Sequence, residues 1–177
     1  MNFANITDFY RQNINKNGIT DMYLATVGIV DKIDELSRTT DINYGLFFSL
    51  HSPFNNQRDK IIPINRKFPV EKCIDACKRY AIAKRKPVKM NYLLFEGFND
   101  SEEHISKLVR ILDPELFEVR VLLYNQVKTI DFHRVTDKQA FEFRDKLIER
   151  GLKAEVIISR GRDISAGCGQ LANKKFD

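Results

Sequence analysis

The sequence predicts an α/β fold built on a parallel sheet, and three observations lead there. Strand-like apolar runs alternate with amphipathic helical segments from end to end, the pattern of successive βα units. One run, Tyr44 to Leu50, is almost continuously apolar, as in a strand buried on both faces. No Pro/Gly/Ser linker, internal repeat or low-complexity stretch divides the 177 residues, a length suited to one domain.

The elements follow in order. A first helix is expected from about Ile6 to Asn15, with Gly18 as its stop signal. Met22 to Thr26 reads as a short strand ending at Val27-Gly28, Ile29 to Leu36 as a short helix, and Tyr44 to Leu50 as the second strand. His51 to Pro63 reads as a polar loop. Pro69 and Glu71 open a helix reaching Lys84, Pro87 to Phe95 is a strand, and Asn99-Asp100-Ser101 caps a helix ending at Leu112. Phe117 to Tyr124 is a strand, Thr136-Asp137 opens a helix that Gly151 stops after Arg150, and Ala154 to Ser159 is the last strand.

Composition narrows the function. A hydrophobic fraction of 43% and a charged fraction of 30% are those of a soluble globular protein, and no apolar run is long enough to span a bilayer. The start, Met1-Asn2-Phe3-Ala4-Asn5, has neither the charged nor the apolar region of a signal peptide. Three irregularly spaced cysteines favour a reducing, cytoplasmic setting over a disulfide framework. The net charge of +5 is mildly suggestive of an anionic partner, with clusters at Lys84-Arg85-Lys86, Arg160/Arg162 and Lys174-Lys175, although most of the basic residues lie on predicted helices.

In parallel α/β sheets ligands gather at the carboxyl ends of the strands. That rule selects Thr26-Val27-Gly28, Ser49-Leu50-His51, Phe95-Glu96-Gly97, Asn125 and the loop from Arg160 to Gly169. In this loop Cys168 stands between Gly167 and Gly169, which let a large ligand approach the sulfur, while Arg160 and Arg162 favour its thiolate. His104, on a helix, reads as a surface residue, and His133 as a loop residue without a partner; no zinc spacing links the three histidines. Cys73 and Cys77 lie four apart on one helical face, a packing arrangement.

Several segments together resemble one family. Ser49-Leu50-His51-Ser52-Pro53, Arg58-Asp59-Lys60-Ile61-Ile62-Pro63-Ile64-Asn65, Asn91-Tyr92-Leu93-Leu94, Gly97-Phe98-Asn99-Asp100 and the closing Arg160 to Ala172 stretch resemble, in order, the radical-SAM adenine methyltransferases of large-subunit ribosomal RNA, the RlmN and Cfr type. The resemblance implies the C-terminal half of a partial (β/α) barrel, with parallel strands and outer helices, over residues 1–177, the cysteine being carried on a loop and tail from 160 to 177. It implies that Cys168 is the methyl carrier, methylated by a first S-adenosylmethionine. A second, cleaved reductively at a [4Fe–4S] cluster, gives the radical that activates the methyl thioether, whose carbon then adds to adenine. It also implies that Ser49, Leu50 and His51 lie against S-adenosylmethionine, that Asn125 bonds its polar end, and that ribosomal RNA is the partner.

Departures from the pattern matter as well. A radical-SAM cluster needs Cys-x-x-x-Cys-x-x-Cys, whereas Cys73 and Cys77 are followed by Tyr80. Met1 aligns just past the family's Gly-Glu-Pro segment, so the cluster motif, that segment and the resolving cysteine are expected upstream, on a complementary N-terminal half. Ala25 replaces a serine, Tyr124 and Gln126 flank Asn125 where the family has Trp and Pro, Arg162 replaces an acidic residue, and Val127 to Arg134 is shortened. The expected function is therefore that of the matching part of an rRNA adenine methyltransferase, inactive alone and with no metal site of its own; the alternative is a non-catalytic RNA-binding or protein-interaction module on the inherited fold. With its first strand lacking a neighbour, the chain is expected to form a homodimer or larger assembly through that edge.

Overall fold

The computed structural model describes residues 3–125 and 131–158. The helix α1 (Phe3–Asn13) precedes β1 (Tyr23–Thr26), and α2 (Val30–Arg38) leads to β2 (Gly45–Ser49). Then come α3 (Asn55–Ile61), a 3₁₀ turn (Pro63–Arg66), α4 (Val70–Lys84) and β3 (Val88–Leu94). The chain continues through α5 (Glu102–Ile111), β4 (Phe117–Leu123), α6 (Asp137–Glu149) and β5 (Lys153–Ile157).

Among the described residues the five strands pair in parallel, in the order β1-β2-β3-β4-β5. Parallel crossovers are right-handed, so a sheet whose strands add in sequence order carries its helices on one face and curves as a sector of a barrel. The burial pattern agrees. β3 and β4 each alternate buried and half-buried residues along their whole length. Toward the helices point Leu46 and Phe48, Met90, Tyr92 and Leu94, and Val119, Val121 and Leu123, all buried. They join Ile33, Leu36, Cys73, Cys77, Tyr80, Ile105, Leu108, Phe143 and Leu147 in one core. Tyr92 stacks on Phe143 with ring centroids 5.5 Å apart.

Three expectations change. β2 is not buried on both faces, because Phe47 and Ser49 on its other side stay half-exposed among the described residues. The expected loop from His51 to Pro63 contains α3, a helix that carries no apolar stripe. Helix α1 begins at Phe3 rather than Ile6 and ends at Asn13, where Asn15, Asn17 and Gly18 all take positive φ. At α6 the expected start at Thr136 is a full capping box: Thr136 Oγ1 accepts from the Gln139 N–H, and Gln139 Oε1 accepts from the Thr136 N–H at 2.8 Å.

Among the described residues no helix is long and apolar enough to cross a membrane. Met22, Leu24, Ile29, Ile33, Leu36 and Leu46, with α1, form the surroundings of the β1 edge, where an apolar cavity of about 250 Å³ lies under Phe3 and Ile6. Phe9, Tyr23 and Val27 are exposed there.

Candidate functional site

The open face of the sheet is polar, because its residues alternate with the core residues along each strand. Register aligns them in rows. Ser49, Asn91, Arg120 and Glu155 form one row across β2 to β5, and Phe47, Lys89, Glu118 and Lys153 form the row below. Arg120 donates to Glu155 Oε1 at 3.0 Å and to Asn91 Oδ1 at 3.4 Å, and its guanidinium lies 4.5 Å from the centre of the Phe47 ring. Phe47 stacks on Tyr23, and Gly45 is required beneath that ring because a Cβ there would overlap it. The resulting surface joins aromatic faces to cations and hydrogen-bonding groups.

At the carboxyl end of this face the chain is held by buried polar residues. Arg58, on α3, is completely buried and lies 5.0 Å from the Phe48 ring centre. Its Nε donates to the Leu50 carbonyl at 3.0 Å, one terminal nitrogen donates to Asn65 Oδ1 at 2.8 Å, and the other donates to the carbonyls of Val27 and Ser49, each at 2.8 Å. One guanidinium thus ties the end of β1 to the end of β2. Burial lowers the Arg58 pKa, the largest influence on it, yet arginine stays protonated in proteins. The fork of donors explains why arginine is used here rather than lysine.

Asn99 fastens the other side. It is fully buried; its Nδ2 donates to the carbonyls of His51 and Leu93, each at 2.7 Å, and its Oδ1 accepts from the Phe95 N–H at 2.7 Å. A side-chain chain completes the support: Ser52 Oγ donates to Gln57 Oε1, which also meets His104 Nε2, and His104 Nδ1 meets Ser101 Oγ, each at 2.7 Å. His104 is therefore buried and doubly bonded, not the surface residue expected; helix α5 turns it toward α3, where Gln57 satisfies it. Burial lowers its pKa. His133 stands in a bridge region instead, its carbonyl accepting from the Glu96 N–H at 3.0 Å.

His51 sits where β2 leaves the sheet. The Ser52 N–H donates to the Leu50 carbonyl at 2.7 Å, closing a three-residue turn around His51, whose φ is +54°. Its Nδ1 accepts from the Leu93 N–H at 3.0 Å, taking the place of a ladder carbonyl. Burial, assisted by the Arg58 cation, holds its pKa down to about 4, so the ring is neutral near pH 7.

The structure brings Ser49 and His51 together at the end of β2, with Ser49 on the open face. Leu50 between them is fully buried in the core, with its N–H donated to Asn91 O and its carbonyl taken by Arg58. Asn125 lies two residues beyond β4, half-buried, at the same end of the sheet. Cys168, Arg160, Arg162 and the 160–177 tail lie outside the described residues. Cys73 and Cys77 are fully buried in the core. Cys73 Sγ donates to the carbonyls of Phe68 and Gly28 at 3.2 and 3.4 Å, and burial pushes both thiols up, away from the thiolate. Among the described residues no group of three or more His, Cys, Asp or Glu could hold a metal. Arg58 and Asn99 stand in the segments that carried the resemblance, but sequence reasoning assigned Arg58 no role and Asn99 only a cap.

No family model matches the chain. It is 34% identical over 172 residues to the dual-specificity RNA methyltransferase RlmN of Halorhodospira halophila, covering 97% of this chain and 46% of that protein. Its fold matches the crystal structure of a radical SAM methyltransferase from Sphaerobacter thermophilus with a TM-score of 0.78 at 36% identity, covering 82% of this chain and 42% of that one. A domain of pyruvate-formate lyase-activating enzyme from Bacteroides vulgatus, at 19% identity and a TM-score of 0.63, shares the fold over 88% of this chain and 89% of its own. The chain spans about half the length of the curated relatives it matches.

Proposed function

From the premise that this chain belongs to the RlmN-type family of radical-SAM methyltransferases, we propose that it supplies the C-terminal part of an rRNA adenine methyltransferase, with Cys168 as methyl carrier and the β2 to β4 strand ends as part of the S-adenosylmethionine wall. S-adenosylmethionine, when bound, supplies the methyl group and, with a [4Fe–4S] cluster, the radical chemistry of this class. The described residues fit the first group and not the second. Ser49 offers a hydroxyl on the open face and His51 a neutral imidazole, and both are held by Arg58 and Asn99. A cluster needs three thiolates, whereas Cys73 and Cys77 are buried, protonated thiols bound up in core packing. The cluster would therefore belong to the remaining half of the catalytic unit, and the present chain alone would not turn over.

The observation that carries this reading is the double clamp on Ser49-Leu50-His51, a buried guanidinium on one side and a buried carboxamide on the other. Polar groups buried at such expense around a strand end preorganise it for a ligand. The substrate would be ribosomal RNA and the setting the cytoplasm, consistent with the net charge of +5.

The test is complementation. The chain is combined with the N-terminal half of a relative that carries Cys-x-x-x-Cys-x-x-Cys, reconstituted anaerobically, and assayed for methyl transfer to ribosomal RNA. Methylation that appears with both halves and vanishes with Cys168→Ala is expected. Methylation retained in the alanine variant would sink the carrier role, and RNA binding without any methylation would favour the non-catalytic module.

A further inference from the structure

We propose that Phe132 is a positioning residue for Asn125: acting through Phe95, it fixes the end of β4 relative to the end of β2 and so sets the affinity for S-adenosylmethionine. The ligand in this statement rests on the functional reading above; the positioning rests on the geometry alone. Among the described residues four aromatic rings meet where β3 and β4 end. The buried Phe95 ring lies with its centroid 5.0 Å from that of Tyr124, the residue before Asn125, and stacks on Phe132 at 4.4 Å. Phe98 closes the cluster, 4.9 Å from Phe132 and 6.1 Å from Phe95. Residues on both flanks of the connection from β4 to α6 thus rest on one ring. The backbone repeats the arrangement, with the Glu96 N–H donating to the His133 carbonyl at 3.0 Å and an antiparallel bridge between Phe95 and Arg134.

β3 separates β2 from β4 in the sheet, so a link between their ends has to pass over the end of β3. Two links do so. The Phe95 N–H donates to Asn99 Oδ1, and the same carboxamide donates to the His51 carbonyl, each at 2.7 Å. The Phe98 carbonyl accepts from Gln57 Nε2 at 3.0 Å, and Gln57 Oε1 accepts from Ser52 Oγ at 2.7 Å. Phe95 and Phe98 are therefore tied by hydrogen bonds to the β2 end, and by their rings to the residues around Asn125. Among the described residues the four rings stand apart from the main core of the sheet and its helices. Removing Phe132 would thus loosen the β4 end while the sheet stays folded. A ligand that reaches from Ser49 to Asn125 needs those groups at one separation, and small misplacements at such a site cost affinity.

Proton–nitrogen spectra of the nitrogen-15-labelled 177-residue chain, with the Asn125 side-chain amide identified by its loss in Asn125→Asp, test the positioning without any ligand. Phe132→Ala should move the Asn125 amide and leave the backbone amides of Ile33 and Leu36, on α2, in place. Phe132→Tyr, which keeps the ring, should leave Asn125 where it is in the wild type. Titration with S-adenosylhomocysteine then reads the consequence: binding about tenfold weaker for Phe132→Ala and within about twofold of wild type for Phe132→Tyr. Phe132→Leu keeps apolar bulk without the flat ring; it should fall between, and it replaces the alanine variant if that one does not fold. An Asn125 amide unmoved by loss of the ring overturns the positioning role, whatever binds. Equal weakening in Phe132→Tyr and Phe132→Ala overturns it too, because a preserved ring would then not preserve the site. A wild-type chain that does not bind S-adenosylhomocysteine overturns the ligand and the functional reading, while the Asn125 resonance still decides the positioning.

Discussion

Replacing Arg58 with methionine keeps the length and apolar stem of the side chain and removes its charge and its donors. The carbonyls of Val27 and Ser49 and the Asn65 amide oxygen lose the Arg58 donors, at a place where the arginine is 0% exposed and water has no ready entry, while the Leu50 carbonyl keeps the Ser52 N–H. A stranded buried acceptor costs about 1–3 kcal/mol, so these three acceptors together lose about 3–9 kcal/mol. Against this, the folded state no longer buries a cation, a relief of several kcal/mol. The net expectation is a destabilisation of about 3–4 kcal/mol, within the stability of an ordinary domain. Arg58→Lys should fall between, since an ammonium keeps the charge but not the planar fork that reaches both strand ends. Urea unfolding followed by circular dichroism measures all three proteins. A methionine variant within about 0.5 kcal/mol of wild type would refute the reasoning, because burial of the charge would then cancel everything its hydrogen bonds contribute.

Other outcomes follow from single contacts. Gly28→Ala should destabilise by about 3 kcal/mol, since φ is +99° and the new Cβ would lie 2.7 Å from Cys73 Sγ and 2.8 Å from the Phe48 ring; Cys73→Ala should relieve only part of that, and a full rescue would show that Phe48 and the backbone are not strained. The folded His51 pKa, about 4, lies below its ordinary 6.5, so the unfolded chain takes up the proton first and stability is complete above about pH 6.5 and declines below it, by about 2 kcal/mol between pH 7.5 and pH 5. His51→Asn should flatten most of that slope in urea midpoints, leaving the smaller share of His104, whose pKa burial also lowers; an unchanged slope would contradict the assignment. Light scattering at micromolar concentration should find a dimer or larger assembly joined at the β1 edge, where Phe9, Tyr23 and Val27 are exposed, and a stable monomer would refute it.

Much of this was legible in the sequence because local pattern and fold agree. The alternation of helix and strand marks every strand to within one or two residues, since core-facing positions such as Met90, Tyr92 and Leu94 repeat with period two. The polar segment from Asn55 to Lys60 hides a helix because α3 is anchored by Arg58 and Gln57 rather than by an apolar stripe, and hydrophobic periodicity cannot register a buried cation. His104 misleads for the same reason: a polar residue on an amphipathic helix reads as solvent-facing until Gln57, 47 residues earlier, is known to lie opposite it. Ser49 and His51 were legible as strand-end residues, whereas the bond that holds the His51 ring depends on an amide, that of Leu93, on another strand.

The strand order has a consequence for how this protein is made. Each strand pairs only with the strands before and after it in sequence, so no pairing must wait for a distant part of the chain. A nascent chain can add one βα unit to the growing sheet as each emerges, and the contacts that close early span few residues. The same arithmetic makes the architecture divisible. Separating two neighbouring units breaks one line of strand pairing and leaves every other pairing whole, so a sector of such a sheet can fold with its own helices and still present an edge ready to be joined.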